Sequence, residues 1–198
     1  MIPTGPVSLK PLVKPESPSE PLQDRSAQTL PKRYYLGVDP GAYGGWSLVD
    51  GQLNLIAVGH LPRIEKATTS LKVDGALLQS QWLMINDCYT IAHAFVEAVN
   101  SRPRQAGAFQ FGVNTGTIHG LCYGLGIPLT LVGPTAWKGF AKIKRYDDDS
   151  KRDVKSEARQ RCMTWFPDQA HLFRRNMDDA VAEATLIALY GVSKLRGR

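Results

Sequence analysis

The sequence predicts an α/β fold built on one mixed sheet, and three observations carry that prediction. Three strand-like runs rich in β-branched and aromatic residues come first, separated only by short glycine-containing breaks. Helical periodicity begins after them and then alternates with two more strand-like runs. Those later runs are joined through helices, which is how parallel strands are connected.

The first run, "RYYLGVD", is apolar on both faces, as a central strand should be. "GGWSLVD" and "LNLIAVGHL" follow across the breaks "PGAY" and "DGQ", and Asp50-Gly51 is a hairpin signal. Residues 62–73 read as a loop. "DGALLQSQWLMINDCY" carries apolar residues at helical spacing, so a helix is expected from near Asp74. "IAHAFVEAV" reads as the fourth strand and "SRPRQ" as a polar loop.

Between Gly107 and Gly126, Gly112, Gly116, Gly120 and Gly124 recur every four residues, along one face of a helix. Each costs a helix about 1 kcal/mol against alanine, so close packing on a sheet or helix is the expected compensation, with a subunit interface the alternative. "IPLTLVGP" is the fifth strand. Pro134 opens a short helix, "TAWKGFAKI", and the charged loop "KRYDDDSKRD" follows. A helix is expected from about Lys151 to Trp165, ended at Phe166-Pro167, and a last one from about Met177 to Tyr190 before the basic tip "SKLRGR". A three-strand meander followed by helix-linked, mostly parallel strands is the order of the ribonuclease H-like fold.

The 198 residues suit one domain with a tail. Residues 1–32 hold more than half of the 13 prolines and no aromatic residue, so a disordered or polyproline-like tail is expected, either inert or docking a partner. Its Glu16, Glu20 and Asp24 argue against an organelle transit peptide. The folded domain is expected over 33–198, and a hydrophobic fraction of 43% is enough for its core. With 24 Lys and Arg against 18 Asp and Glu, the net charge of +6 leans toward anionic partners such as nucleic acid. Cys88, Cys122 and Cys162 form no CxxC pair, so no zinc site or disulfide framework is suggested, and a reducing, cytoplasmic setting is expected. No apolar run approaches the ~18 residues of a membrane span, and the N-terminus lacks a signal-peptide core.

Three acidic positions stand where side chains are normally buried or structural. Asp39 ends the first strand in "VDPG" and is either a turn former or a group held out for a metal or phosphate. Glu97 follows an apolar run at the tip of a predicted central strand, where a charge is rare unless paired or metal-bound. If the strand ends one residue early, Glu97 is simply in solvent. Asp178, Asp179 and Glu183 open the last helix. Acidic decoration of a helix N-terminus explains the first two well. Asp179 and Glu183, four apart, share a face and repel unless a cation sits between them. The opposite side, Ala180, Ala184, Ile187 and Ala188, is small enough to lie close on a sheet.

In a ribonuclease H-like sheet the first and fourth strands are neighbours and the last helix packs beside them. Asp39, Glu97, Asp179 and Glu183 then meet, an arrangement that needs cations. Two Mg²⁺ about 4 Å apart would activate water and stabilise the leaving oxygen of a phosphodiester. Oxygen ligands suit Mg²⁺ or Mn²⁺ and not zinc.

"LGVDPGAYGGWSLVD", "FVEAVNSRPRQ", "GIPLTLVGPTAWKGF", "VKSEARQRCMTWFPD" and "MDDAVAEATLIALYG" together resemble RuvC-type Holliday junction resolvases, in particular the phage and bacterial RuvC-like branch. The resemblance spans about residues 33 to 191 in order. It implies catalytic acids at Asp39, Glu97, Asp179 (with Asp178 the runner-up) and Glu183, and a basic catalytic residue at Lys155. Two departures stand out: Glu183 replaces the commoner Asp, and its spacing from Asp179 is four rather than three. The resemblance also implies a symmetric homodimer cutting opposed strands of a four-way DNA junction, with the loop after Glu97 (Arg102, Arg104 and Gln105 here) entering the junction. The segment from Trp137 to Arg161 holds nine Lys or Arg against five Asp or Glu, so it reads as a DNA-facing surface with Lys138, Lys142, Lys144 and Arg145 as candidates. Asp147, Asp148 and Asp149 read as a solvated loop and helix cap. His60, His93, His119 and His171 show no metal-ligand spacing and are taken as structural or surface residues.

Three functions therefore stand: a metal-dependent junction endonuclease, another nuclease of the same fold acting on flaps or RNA–DNA hybrids, or a junction-binding protein with a degenerate site. An actin-like or sugar-kinase ATPase, suggested by the first motif alone, needs a second duplicated domain that this chain is too short to hold.

Overall fold

The structure, a computed structural model, describes residues 32–64 except 42, 72–98, 107–143 and 151–197, with the side chains of 151–154 excluded. The proline-rich tail, Arg102, Arg104, Gln105, Lys144, Arg145 and the acidic run 147–149 lie outside the described residues.

The first three strands form the expected meander: Tyr34–Asp39 (β1), Gly45–Asp50 (β2) and Leu55–His60 (β3), each antiparallel to the next. Ile91–Glu97 (β6) lies parallel beside β1, and Leu129–Val132 (β7) parallel beside β6. Arg63–Ile64 (β4) and Lys72–Val73 (β5) make a separate two-stranded ribbon. The main sheet has five strands in the order β3-β2-β1-β6-β7, so β1 and β6 are central. The helices are Gly75–Cys88 (α1), Ala108–Gly124 (α2), Pro134–Phe140 (α3), Lys151–Trp165 (α4) and Asp179–Arg196 (α5), with 3-10 turns at Pro167–Phe173 and Asn176–Asp178. This mixed sheet flanked by helices is the ribonuclease H-like architecture expected from the element order.

Strand alternation divides the core into two layers. One face carries Leu36, Val38, Trp46, Leu48, Ala94 and Val96 against Leu78 and Trp82 of α1 and Ile118 and Cys122 of α2. The other carries Val49, Phe95 and Val132 against α5, with Trp137 of α3 and Ala158 and Cys162 of α4 completing the layer. α5 is the central helix of that second layer: Ala182, Ala184, Leu186, Ile187 and Ala188 are fully buried. It lies very close to the sheet because Gly37 of β1 has no side chain. A Cβ there would strike the Ala184 carbonyl and stand 2.7 Å from the Ala188 Cβ. Gly45 of β2, opposite Asp39, gives the same room to the backbone of Ala180 and Val181.

Three local expectations change and one gains detail. Part of the 62–73 loop is the β4–β5 ribbon. The expected hairpin at Asp50-Gly51 is present, closed by the Asp50 carboxylate, which accepts the Gln52 and Asn54 N–H groups at 2.9 Å each. Its left-handed residue is Leu53 (φ 71°). α5 continues through the basic tip to Arg196 rather than stopping at Tyr190, because Leu189 and Val192 still have core to bury against. Finally, the glycine stripe of α2 does not pack in the core: a Cβ at Gly112, Gly116, Gly120 or Gly124 would meet nothing within 4 Å. The helix seats on the sheet through Ile118 and Cys122, while Asn114 accepts the Val73 N–H at 3.1 Å, and the glycines occupy the outer side.

Candidate active site

The same alternation that builds the two layers decides where the strand acids point. Leu36 and Val38 face α1 and α2, so Asp39 faces the α5 layer, as Gly37 does. On β6, Val96 faces α1 and α2 while Phe95 packs in the α5 layer, so Glu97 shares the side of Asp39. β1 and β6 are parallel with Val38 opposite Val96, which brings both acids to the same carboxyl edge of the sheet. Glu183 enters from α5 between Ala180, which rides over Gly45, and Ala184, which rides over Gly37.

The electrostatics report this convergence. Asp39 is 9% exposed. Burial, then the charge of Glu97, pushes its carboxyl up to about 6, against the opposing pull of the Gly41 N–H, Lys155 and Lys138. Burial, then Asp39 and Glu97, pushes Glu183 up to about 8, with Lys138 and Lys155 opposing. Burial raises Glu97 too, opposed by a hydrogen bond from Trp137 Nε1 to its Oε1 at 2.9 Å and by Lys138. Asp39 does not choose between its two expected roles. Its Oδ1 accepts the Gly41 N–H at 2.9 Å, closing the β1–β2 turn, while the carboxylate stays in the acidic cluster.

The two acids before Glu183 are held differently. Asp178 is 1% exposed and belongs to the turn that starts α5. It accepts the Arg175 backbone N–H at 2.8 Å and the Arg175 guanidinium at 2.9 Å, with His60 Nε2 at 3.4 Å. Burial opposes its charge, but the Arg175 hydrogen bonds outweigh it and hold the carboxyl below the usual range. Asp179 faces α4: Arg159 Nε donates to Oδ1 at 2.7 Å, and Lys155 Nζ stands 3.9 Å from Oδ2. Asp39, Lys155 and Asp179 nevertheless line one cavity of about 430 Å³. The structure thus brings Asp39, Glu97 and Glu183 within electrostatic reach of one another, sets Asp179 on the cavity lining in an ion pair, and engages Asp178 in a cap.

One buried and two half-buried carboxylates, each raised above its ordinary range, form a donor set that suits a hard, oxygen-preferring cation. Among the described residues no three acidic, histidine or cysteine side chains form a ready-made cage around one ion. The fit therefore lies in the chemistry of the donors.

Of the two described DNA-facing candidates, Lys138 is the one whose charge acts on all three acids. Lys142 is exposed, with φ at 53° just past α3, and its carbonyl accepts from Arg161 at 3.4 Å. Sequence reasoning passed over Trp137 and Arg159, while His60, taken as structural, stands beside the Asp178 cap. Arg159 lay within reach, being four residues from Lys155 on the same helix face. Nothing in the sequence marks a tryptophan as the donor to a carboxylate on a different strand.

No protein-family model matches the chain, and no curated protein sequence matches it. Solved structures do. RuvC of T. thermophilus in complex with Holliday junction substrate is 15% identical with a TM-score of 0.55, covering 83% of this chain and 96% of that one. A second Thermus thermophilus RuvC structure is 15% identical with a TM-score of 0.46, covering 83% and 96%. The Fowlpox virus resolvase in complex with substrate Holliday junction DNA is 13% identical with a TM-score of 0.47, covering 82% and 98%. The first match carries the assignment: this chain has the RuvC-type, ribonuclease H-like fold over nearly the whole of that relative.

Proposed function

We propose that this protein is a metal-dependent endodeoxyribonuclease that cuts four-way DNA junctions. The observation that carries the reading is the meeting of Asp39, Glu97 and Glu183 at one carboxyl edge of a RuvC-type sheet, with each carboxyl raised above its ordinary range. Asp39, Glu97 and Glu183, with Asp179 on the cavity lining, would hold two Mg²⁺ or Mn²⁺. Such ions supply the charge that activates a water and steadies the leaving oxygen of a phosphodiester.

The chain's own residues do the rest. The Gly41 N–H fixes the Asp39 carboxylate, and the Trp137 indole fixes that of Glu97. Lys155 and Lys138 bring positive charge to the cluster, where a phosphate and its transition state carry negative charge. A homodimer belongs to this reading, as does contact of Arg102, Arg104, Gln105, Lys142, Lys144 and Arg145 with DNA backbone.

The test is cleavage of a synthetic four-way junction with Mg²⁺ beside a linear duplex, a flap and an RNA–DNA hybrid. Paired symmetric nicks in the junction alone, abolished by Asp39→Asn with binding retained, are expected. Cutting of the flap or hybrid instead would move the substrate within the same fold. A second reading, a junction-binding protein without cutting activity, draws on the Arg159–Asp179 pair, which neutralises one expected ligand. Tight junction binding with no cut in either metal would establish it.

A further inference from the structure

The cavity lined by Asp39, Lys155 and Asp179 has further lining residues that the cleavage reading does not use: Tyr43 from the β1–β2 turn, Arg63 from β4, and Asn176 and Met177 from the turn before α5. Tyr43 is 66% exposed and Met177 57%, so two large apolar side chains stand open to one space. The Arg63 guanidinium lies 4.5 Å from the centre of the Tyr43 ring, which covers one ring face and leaves a flat aromatic and cationic surface.

These residues are mechanically tied to the site. The turn that carries Tyr43 begins at Asp39 and is pinned by the Gly41 N–H on Asp39 Oδ1 and by Gly44 N–H on the Gly41 carbonyl at 2.9 Å. Leu61 N–H bonds the Gly44 carbonyl at 2.9 Å, which fixes the turn against the strand leading to Arg63. Asp39, Lys155 and Asp179 line the same cavity. A phosphodiester held by them brings an adjoining nucleotide within reach of Tyr43 and Arg63. A planar aromatic surface with a guanidinium is the chemistry that stacks a base, and the Asn176 amide offers both a donor and an acceptor to a base edge.

We propose that Tyr43 and Arg63, with Met177 and Asn176, form a nucleobase seat that holds the base next to the scissile phosphate and thereby sets which step is cut. The proposal rests on the nuclease reading for its location but not for its chemistry.

The test uses the full chain with four-way junctions carrying a fluorescent adenine analogue at successive positions around the branch point, bound in EDTA so that nothing is cut. One position is expected to change fluorescence on binding, to lose that change in Tyr43→Ala, and to regain it in Tyr43→Phe, which keeps the ring. In Mg²⁺, Tyr43→Ala is expected to cut about 10-fold more slowly, the loss typical of one base–aromatic stack, and with a flatter choice among steps. An analogue response that depends on Tyr43 in a protein that never cuts supports the seat and removes the nuclease reading. Normal cutting by Tyr43→Ala, at the wild-type steps and with no Tyr43-dependent response at any position, overturns the seat and leaves the nuclease reading standing.

Discussion

At the scale of single residues, the site depends on donors that hold carboxylates against their own burial. Trp137 is fully buried and gives its indole N–H to Glu97. That bond lowers the Glu97 carboxyl against the desolvation that raises it. Trp137→Phe keeps most of the volume and removes the donor, so Glu97 should protonate at higher pH than before. The acid limb of the pH–rate profile for junction cutting should move upward. A hydrogen bond to a charged group contributes roughly 1.5–3 kcal/mol, so the rate should fall on the acid side of the profile and recover at higher pH. A profile that drops uniformly without moving would mean that Trp137 acts only through packing.

At the scale of elements, close approach of α5 to the sheet sets the position of Glu183. Gly37 is the narrow point, where a methyl group would strike the Ala184 carbonyl. Gly37→Ala should push α5 outward and destabilise the fold by about 1–3 kcal/mol, as overpacking does, measured by urea unfolding. Because the same helix carries Glu183, cutting should fall further than stability alone explains. α2 poses the opposite case. Its glycines face open space, and Phe109 and Tyr123 beside them are 85% and 67% exposed. In an isolated subunit Gly116→Ala should stabilise the helix by about 1 kcal/mol. If this face joins two subunits, the same substitution should weaken the dimer in sedimentation while leaving the monomer intact. An unchanged dimer with a more stable fold would place the interface elsewhere.

At the scale of the whole molecule, the acidic cluster links stability to pH and to cations. Asp39 and Glu183 bind protons more tightly folded, up to about 6 and about 8, than an unfolded carboxylate near ~4 does. Their contribution is therefore full below the unfolded range and is lost as pH rises through those two values. A divalent cation held by the ionised form, as proposed, should restore what is lost. Unfolding in EDTA is expected to be easier at pH ~9 than at pH ~5, with Mg²⁺ closing the gap at the higher pH. The Asp39→Asn, Glu183→Gln double variant should show neither effect. A Mg²⁺ response that survives in that variant would put the cation elsewhere.

The sequence by itself determined the order of strands and helices, because periodicities of 2 and 3.6 and the glycine and proline breaks are local properties. With that order came the pairing of β1 beside β6 and hence the neighbourhood of Asp39 and Glu97. The spacing of α5 also told that Ala180, Ala184 and Ile187 face the sheet, and they do. Only the tertiary structure decided the rest. Asp178 and Asp179 are adjacent and look alike in sequence, yet Arg175 takes one into a cap and Arg159 pairs with the other on the cavity lining. The glycine stripe reads as a close-packing signal, but the apolar residues on the other side of α2 outweigh it and turn the glycines outward. Trp137 meets Glu97 across 40 residues of chain, and Tyr43 meets Arg63 across two strands and the turn between them. Such partnerships depend on distance in space, which periodicity along a chain does not encode.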